Sequence, residues 1–273
     1  MRYLVLILSF LLAGCVASAP CPAPPQPRKP QCPFGHPIIK FPAGKTVGAA
    51  PVVIQRDQYT LAYDPIKRVP RWVCETLSAN ELQGSAKRKT SYPLDPLVPR
   101  RYHSTSSVYT NSGFDRGHLL PASNQLWNQA YSDQTFYMSN IVPMPRNFNR
   151  GVWKQFEQWI RSWVQQRGDA YVITGTVFVE PLGWIKDEVA VPSHYYKILV
   201  AKRGTKSYDA IGFLFDRVSE YAPPYDWRMQ VVSIDLIESM ANVDLMPMLP
   251  DSKEEALERA GANFDLWEMT EKR

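Results

Sequence analysis

One strongly amphipathic helix is predicted between strand-like segments of the sequence. The stretch from about Asn149 to Gln166 carries apolar residues at i, i+3, i+7 and i+10, the spacing of a single helix face. These residues are Trp153, Phe156, Ile160 and Trp163. Gly168 follows, and a glycine at that point typically ends a helix. The sequence therefore predicts a helix over this range with one buried face.

Strand-like runs lie on both sides of this helix and do not alternate with helices in a regular order. They are rich in β-branched and aromatic residues, and they read PVVIQRDQYTLAYDP, VPRWVCETLS, DAYVITGTVFV, YYKILVAKR and YDAIGFLFDRV. Two more helical stretches are predicted near Val232–Met240 and Ser252–Trp267. This order predicts an α+β fold with a central antiparallel sheet flanked by helices, because a parallel doubly wound sheet would need regular alternation.

The first residues predict export. In MRYLVLILSFLLAGC one arginine precedes a run of nine residues, Leu4 to Leu12, with a single polar member. This run is shorter than the roughly 20 residues that span a bilayer, so residues 1–14 are interpreted as a signal peptide. Leu12-Ala13-Gly14-Cys15 resembles a bacterial lipobox, which implies cleavage before Cys15 and acylation of its thiol. Ordinary cleavage near Ser18 is the alternative, and it would give a secreted protein instead of an outer-membrane or cell-surface lipoprotein.

A proline-rich segment follows the leader. Pro20–Pro37 contains eight prolines, and this density is incompatible with a helix or a central strand. We interpret residues 15–45 as an extended spacer and residues 46–273 as the folded domain. The composition is that of a folded chain, with 45% apolar and 21% charged residues, and the net charge of +5 suits an anionic partner without identifying it.

Apart from Cys15, three cysteines follow the leader, and an oxidising compartment would allow one disulfide and one spare thiol among them. Cys21–Cys32 is the simplest pairing, while Cys74 could bridge to either of the others. The chain has no C-x-x-C motif, so a structural zinc site is not expected.

The polar residues with the most informative surroundings lie in GFDRGHLLPA, Gly113–Ala122. Histidine is the side chain best matched to proton transfer near neutral pH. His118 lies three residues after Asp115, which could orient it, and two residues after Arg116, which could meet an anion. Gly117 between them permits a tight turn and a close approach.

Two further candidates lie in NFNRGVWKQFEQWIR. Asn149 falls at the expected start of the helix, where its ordinary role is that of an N-cap. Glu157 lies eight residues further on, where its ordinary role is an i,i+4 ion pair with Arg161.

Taken together, DRGHLLPA, TFYMSNIVP and FNRGVWKQFE, in that order and spacing, resemble the DNA/RNA non-specific endonuclease family. That family includes secreted bacterial sugar-non-specific nucleases and mitochondrial endonuclease G. A lone D-R-G-H would be a weak signal, whereas the ordered set is specific. The resemblance runs from about Arg56 to Leu249 and implies the ββα-metal nuclease fold, also called the His-Me finger. Met144 stands where many relatives carry glutamine.

The resemblance implies roles for particular residues. His118 is the implied general base, and Asn149 the implied direct protein ligand of one Mg²⁺, with Mn²⁺ as a substitute. Glu157 matches a glutamate that orients metal-bound water, and Asn140 matches an asparagine that shapes the site.

Two arginines, Arg116 and Arg88, match arginines near the scissile phosphate, and Asp115 supports the site. Arg88 aligns only through R-x-x-x-Y, where relatives often have R-x-x-x-F. Guanidinium groups offer fixed donors that suit phosphate oxygens.

The chemistry of phosphodiester cleavage accounts for these residue types. Cleavage needs an activated water, relief of negative charge and a stabilised leaving oxygen, which a neutral histidine and a Mg²⁺ ion can supply. Mg²⁺ keeps several waters, so a single amide oxygen is a sufficient protein anchor. A site that binds only phosphate and metal does not distinguish one base from another. DNA and RNA bound through the phosphate backbone are therefore the expected partners, with 5′-phosphate products. The alternatives are a nuclease-like module that binds nucleic acid without cutting it, and a phosphodiesterase of small nucleotides.

Overall fold

The computed structural model describes most of the chain beyond its first 30 residues. The described ranges are 31–40, 49–203, 207–217 and 221–250, with residues 252, 254, 255, 257 and 264–268. The predicted signal peptide, Cys15 and Cys21 lie outside them. Across the described ranges, no helix has both the length and the apolar character that a membrane span requires.

The centre of the molecule is a seven-stranded antiparallel sheet with the spatial order β12-β11-β10-β7-β4-β3-β2. The strands are β1 (Ile38–Ile39), β2 (Val52–Gln55), β3 (Thr60–Asp64), β4 (Val69–Leu77), β5 (Phe114–His118), β6 (Ile141–Pro145), β7 (Ala170–Val177), β8 (Gly183–Ile185), β9 (Val189–Val191), β10 (His194–Arg203), β11 (Ser207–Asp216), β12 (Val231–Val232) and β13 (Val243–Asp244). The helices are α1 (Gln129–Gln134), α2 (Arg146–Phe148), α3 (Lys154–Arg167) and α4 (Ile234–Ala241). The predicted α+β class and antiparallel sheet are confirmed.

Each face of the sheet carries its own hydrophobic core, because successive strand residues point to opposite sides. Val172 and Leu199 belong to the core that α3 covers. Their strand neighbours Ile173 and Ile198 belong to the core that α4 covers. The strands are buried on both faces, which explains why their sequences read as almost continuous apolar runs.

The predicted helix is confirmed over most of its length. Its four apolar residues are all buried, and Gly168 ends it with φ of 106°. Its start differs from the prediction, because Asn149–Trp153 form a wider π-type turn and α3 begins only at Lys154. Gly151 breaks the helical geometry there, with φ −99° and ψ −108°. A Cβ at Gly151 would lie 3.1 Å from the Tyr225 hydroxyl, so the tight contact favours glycine.

The strands β5 and β6 form a separate antiparallel hairpin that leads into α3. His118 pairs with Ile141, and Phe114 pairs with Pro145. The hairpin and the helix together make a ββα unit on one face of the main sheet. Gly117 lies inside β5 and not in a turn, so the tight turn predicted there is wrong. The close approach is confirmed, because a Cβ at Gly117 would lie 2.4 Å from the Met144 sulfur.

The segment 31–40, which the sequence assigns to the spacer, is packed onto the domain. Phe34 is 6% exposed, and β1 pairs with β13. A disulfide joins Cys32 to Cys74 across a Cα–Cα distance of 5.9 Å, so Cys21–Cys32 is the wrong pairing. The cause is the strand alternation of β4, which places Cys74 on the sheet face where Phe34 also packs.

Candidate active site

A basic cleft of about 570 Å³ opens between the β5–β6 hairpin, the start of α3 and the loop that carries Arg88. The polar and aromatic side chains that line it include Arg88, Tyr92, Asp115, Arg116, His118, Asn149, Arg150, Lys154, Glu157 and Arg161. Five of these are cationic and two are carboxylates, so the cleft attracts anions. Every site residue predicted from the sequence within the described ranges lines this cleft, except Asn140.

The imidazole of His118 is buried at the end of β5, with 8% of the residue exposed. Phe136 meets the ring edge to face at a centroid distance of 4.8 Å. Burial, followed by the positive charge of Arg88, lowers the pKa of His118 to about 3. The ring is therefore neutral near pH 7. Its Nε2 is buried without a hydrogen-bond partner among the described residues, which leaves Nδ1 as the nitrogen that solvent in the cleft can reach.

The Asn149 side chain is held by Asp115 and is not an N-cap. Asn149 has helical dihedrals, φ −60° and ψ −43°, and its Nδ2 donates to Asp115 Oδ2 at 3.1 Å. Because a carboxylate can only accept, this bond fixes the amide so that Oδ1 is left for another ligand.

Asp115 is itself held by arginine, and it does not contact His118 as the sequence suggested. Arg150 donates from Nε and Nη2 to the two carboxylate oxygens at 2.7 and 2.9 Å. Partial burial opposes ionisation, but the hydrogen bonds from Arg150 and Asn149 outweigh it and lower the pKa of Asp115. The carboxylate that orients Asn149 is thus kept ionised.

The two predicted phosphate arginines both border the cleft. Arg116 donates from Nε and Nη2 to the Ser106 carbonyl at 3.1 and 2.5 Å. Its guanidinium lies between the rings of Tyr92 and Tyr109, at 5.5 and 5.7 Å from their centroids. Arg88 lies over Phe136 at 5.1 Å, beside His118. Both cations are therefore held by aromatic rings near the buried imidazole.

Asn140 is fully buried and shapes the site from behind. Its Oδ1 accepts from Leu120 N at 3.0 Å, and its Nδ2 donates to the carbonyls of Leu120 and Thr135 at 3.0 and 2.8 Å. These bonds fix the backbone that leaves His118 and turns towards the cleft wall.

Glu157 lies on the first turn of α3 and borders the cleft. Burial raises the pKa of this carboxyl, while the charges of Lys197 and Arg161 oppose the rise. The predicted Glu157–Arg161 ion pair does not form within the described part of the chain. Arg161 donates from Nη1 to Asn124 Oδ1 at 3.3 Å instead.

Sequence reasoning did not assign Tyr92, Arg150 and Lys154 to the site. Helical spacing could have identified Lys154, because it lies three residues before Glu157 and residues three and four apart share a helix face. Arg150 gave no such signal, since its carboxylate partner is 35 residues away in the chain.

The donors in the cleft suit a hard divalent cation. Asn149 Oδ1 is an oxygen ligand fixed in place, and the Glu157 carboxylate adds an anionic oxygen on the adjoining helix. Mg²⁺ prefers oxygen donors, retains several waters and needs few protein ligands. The residues present therefore fit a divalent cation such as Mg²⁺, which the Oδ1 of Asn149 would hold.

The β5–β6–α3 unit, with a neutral histidine on its strand and a fixed asparagine before its helix, defines a ββα-metal nuclease. A family model described as DNA/RNA non-specific endonuclease matches residues 41–252, and the chain belongs to this family. It is accordingly a nuclease, a hydrolase of phosphodiester bonds.

Individual relatives agree with this assignment. Mitochondrial nuclease EXOG of Xenopus laevis is 31% identical, over 89% of this chain and 73% of that protein. Nuclease C1 of Cunninghamella echinulata var. echinulata is 30% identical over 72% of this chain and 84% of its own length. Human mitochondrial endonuclease G is 35% identical, and the match spans 53% of each protein. A crystal structure of an EndoG/EndoGI complex shares the fold with a TM-score of 0.66, at 24% identity over 76% of this chain and 90% of that chain.

Proposed function

We propose that the chain is an exported, Mg²⁺-dependent endonuclease that cleaves DNA and RNA and leaves 5′-phosphate ends. One observation carries the proposal: the neutral imidazole of His118 and the fixed amide of Asn149 border the same basic cleft. Mn²⁺ is expected to substitute for Mg²⁺, because it accepts the same oxygen donors.

Different residues of the cleft have different roles in hydrolysis. His118 takes a proton at Nδ1 from the attacking water, since its other ring nitrogen is buried. Glu157 accepts hydrogen bonds from water in the cleft and orients it. Mg²⁺, when bound through Asn149, supplies Lewis acidity that relieves the negative charge on the phosphate and the leaving 3′-oxygen.

The cations of the cleft bind the phosphate backbone. Arg88 and Arg116 lie near His118, and Arg116 is already fixed by two hydrogen bonds to Ser106. Pre-ordered guanidinium groups lose little freedom when they bind an anion. Contacts to phosphate carry no base code, so single- and double-stranded DNA and RNA are all expected substrates.

Export and membrane attachment are proposed from the leader alone. Leu12-Ala13-Gly14-Cys15 supports acylation at Cys15, and the acyl chains would anchor the protein at the outer membrane or cell surface. Growth with a fatty-acid probe should label the wild type and not Cys15→Ser. A wild type that is unlabelled and soluble would instead be a secreted nuclease.

Metal dependence is the direct test of the proposed chemistry. Purified protein is incubated with supercoiled plasmid and with RNA, in Mg²⁺ or in EDTA. EDTA should stop the cleavage of both, and excess Mg²⁺ should restore it. Asn149→Ala should lose most turnover while it stays folded, whereas Asn80→Ala, at an exposed position outside the cleft, should cut normally. Full activity in EDTA, or normal cutting by Asn149→Ala, would overturn the single-metal mechanism.

A further inference from the structure

A second pocket, of about 240 Å³, lies beside the start of α3. We call it the aromatic pocket, because Tyr221, Tyr225 and Trp227 are part of its wall. Met229 belongs to the same wall and is 77% exposed, so the pocket presents apolar surface to solvent. Pockets for drug-sized ligands begin at roughly 300 Å³, and this smaller volume suits a single planar ring system.

The rings of the aromatic pocket are held from behind by the hydrophobic core. Tyr225 stacks on Trp227 with a centroid distance of 5.6 Å and an interplanar angle of 27°. Trp227 packs in turn on Phe156 of α3, at 5.1 Å, and Phe156 is completely buried. Tyr225 and Trp227 are themselves only partly buried. Rings that are already fixed in this way lose little freedom when a planar ligand stacks on them.

The aromatic pocket lies next to the basic cleft, across the π-type turn. Arg150 lines the cleft and Val152 lines the aromatic pocket. The residue between them is Gly151, and a Cβ there would lie 3.1 Å from the Tyr225 hydroxyl. Along this turn, one residue without a side chain therefore separates the two sites. The nucleotides next to a phosphate bound in the cleft are within reach of the aromatic pocket.

A single nucleic-acid strand carries the two kinds of group that these neighbouring sites can bind. The cations of the cleft suit its phosphates, and the rings of the pocket suit the flat face of an unpaired base. Proteins that bind single strands without sequence preference combine a basic groove with aromatic side chains in this way. In a duplex, by contrast, the bases are paired and stacked inside, and a base reaches such a pocket only when it leaves the stack.

We infer that the aromatic pocket receives one unpaired base of the strand whose phosphate lies in the cleft, and that single-stranded DNA and RNA are therefore bound through bases as well as phosphates. The inference rests on the proposed function, in which the cleft binds the phosphate backbone. Tyr225 and Trp227 are the residues that stack on the base. Because every base has a π face, this contact adds affinity for unpaired strands without selecting one base over another.

Binding measured in EDTA tests the inference without cleavage. The two ligands are a short oligo(dT) and an abasic deoxyribose-phosphate strand of the same length, which carry the same charge. The wild type should bind oligo(dT) more tightly, and Tyr225→Leu should reduce its advantage over the abasic strand by at least about fivefold. Tyr225→Phe keeps the ring and should keep the wild-type advantage. Tyr208→Leu, at an exposed ring in β11 outside the cleft and the aromatic pocket, is the matched control.

The same measurement overturns the inference in two ways. If the wild type binds oligo(dT) and the abasic strand with equal affinity, the bases make no contact that contributes to binding. If Tyr225→Leu folds and keeps the full advantage of oligo(dT), the bases are bound elsewhere on the protein.

Photochemical cross-linking locates the base directly and needs only the wild type, so it decides the question even if Tyr225→Leu does not fold. An oligo(dT) that contains 5-iodouracil is irradiated with the protein in EDTA, and the attached residue is identified by mass spectrometry. The cross-link should form at Tyr225 or Trp227, and a fully paired duplex with the same modified base should not give it. Cross-links that form only at other residues overturn the inference.

These outcomes separate the inference from the proposed function. A wild type that cross-links at Tyr225 or Trp227 yet cuts nothing in Mg²⁺ would lose the proposed function and keep the base-binding pocket. A wild type that cuts DNA and RNA yet binds oligo(dT) and the abasic strand alike would keep the proposed function and lose the pocket.

Discussion

At the scale of the residue, the site depends on a histidine kept neutral and an asparagine kept in one orientation. Burial beside Phe136 and the nearby charge of Arg88 hold His118 in its neutral form. Asp115 fixes the amide of Asn149. A general base needs a free lone pair, which the neutral His118 has. A metal cation needs an oxygen held in one place, which the fixed amide of Asn149 provides.

Because His118 is buried in its neutral form, the free energy of unfolding is predicted to depend on pH. The pKa of His118 falls from 6.5 unfolded to about 3 in the folded protein. Its contribution to stability is therefore complete above pH 6.5 and is lost as the pH falls towards 3. In that window the wild type should lose about 1.4 kcal/mol per pH unit more than His118→Ala. Urea unfolding of both proteins at pH 7, 6, 5 and 4 measures this, and parallel slopes would mean that His118 is not buried in a neutral form.

The Asp115 carboxylate is predicted to control metal affinity without binding the metal. Asp115→Asn loses the bidentate pair with Arg150 and the fixed orientation of Asn149. Changes of this kind behind a metal ligand cost about 10- to 100-fold in affinity or activity. The Mg²⁺ concentration for half-maximal cleavage should rise accordingly. Glu188→Gln is the control, since it breaks a 2.9 Å ion pair with Arg68 outside the cleft, and an unchanged Mg²⁺ requirement in Asp115→Asn would refute the role.

At the scale of the element, local patterns predicted most of α3, and they failed where a distant partner decides. The apolar spacing of α3 predicted its buried face because that face is set by residues within three turns. The π-type turn at Asn149 was missed, because the apolar spacing continues across it and Gly151 alone breaks the helical dihedrals there. Likewise Asp115 accepts hydrogen bonds from Asn149 and Arg150, and no spacing rule connects it to residues 34 and 35 positions away.

Removal of the Cys32–Cys74 disulfide is predicted to lower the stability of the protein with little loss of activity. The bridge closes a loop with a sequence separation of 42 residues, and a loop of that size contributes about 4 kcal/mol. Cys74 lies on the sheet face opposite α3. Cys32→Ser should therefore lower the melting temperature yet cleave normally at 25 °C, and dithiothreitol should act on the wild type in the same way. A variant of unchanged stability would show that the bridge does not form in solution.

At the scale of the whole molecule, the two faces of the main sheet differ in the buried residues that they carry. On its α4 side the core is apolar apart from buried Arg71, which donates to the Ala241 carbonyl, whereas its α3 face carries Lys197 and Glu75 under the cleft. The motifs of the sequence predicted which residues would meet in the cleft, because DRGH lies in β5, and β5 pairs with β6, which leads into the helix. They did not predict the buried charges, which come from strands far apart in the chain and meet only when the sheet forms.

His118 is proposed as the general base of a nuclease whose cations bind the phosphate backbone. The most direct measurement compares cleavage and binding of one labelled DNA duplex by the wild type and His118→Ala, in Mg²⁺ and over a range of salt. Cleavage by His118→Ala should fall by about 10²–10⁴. Its binding should stay near the wild-type level, with the same log–log salt slope of roughly −0.9 per neutralised phosphate. Cleavage by His118→Ala at the wild-type rate would show that His118 is not the general base.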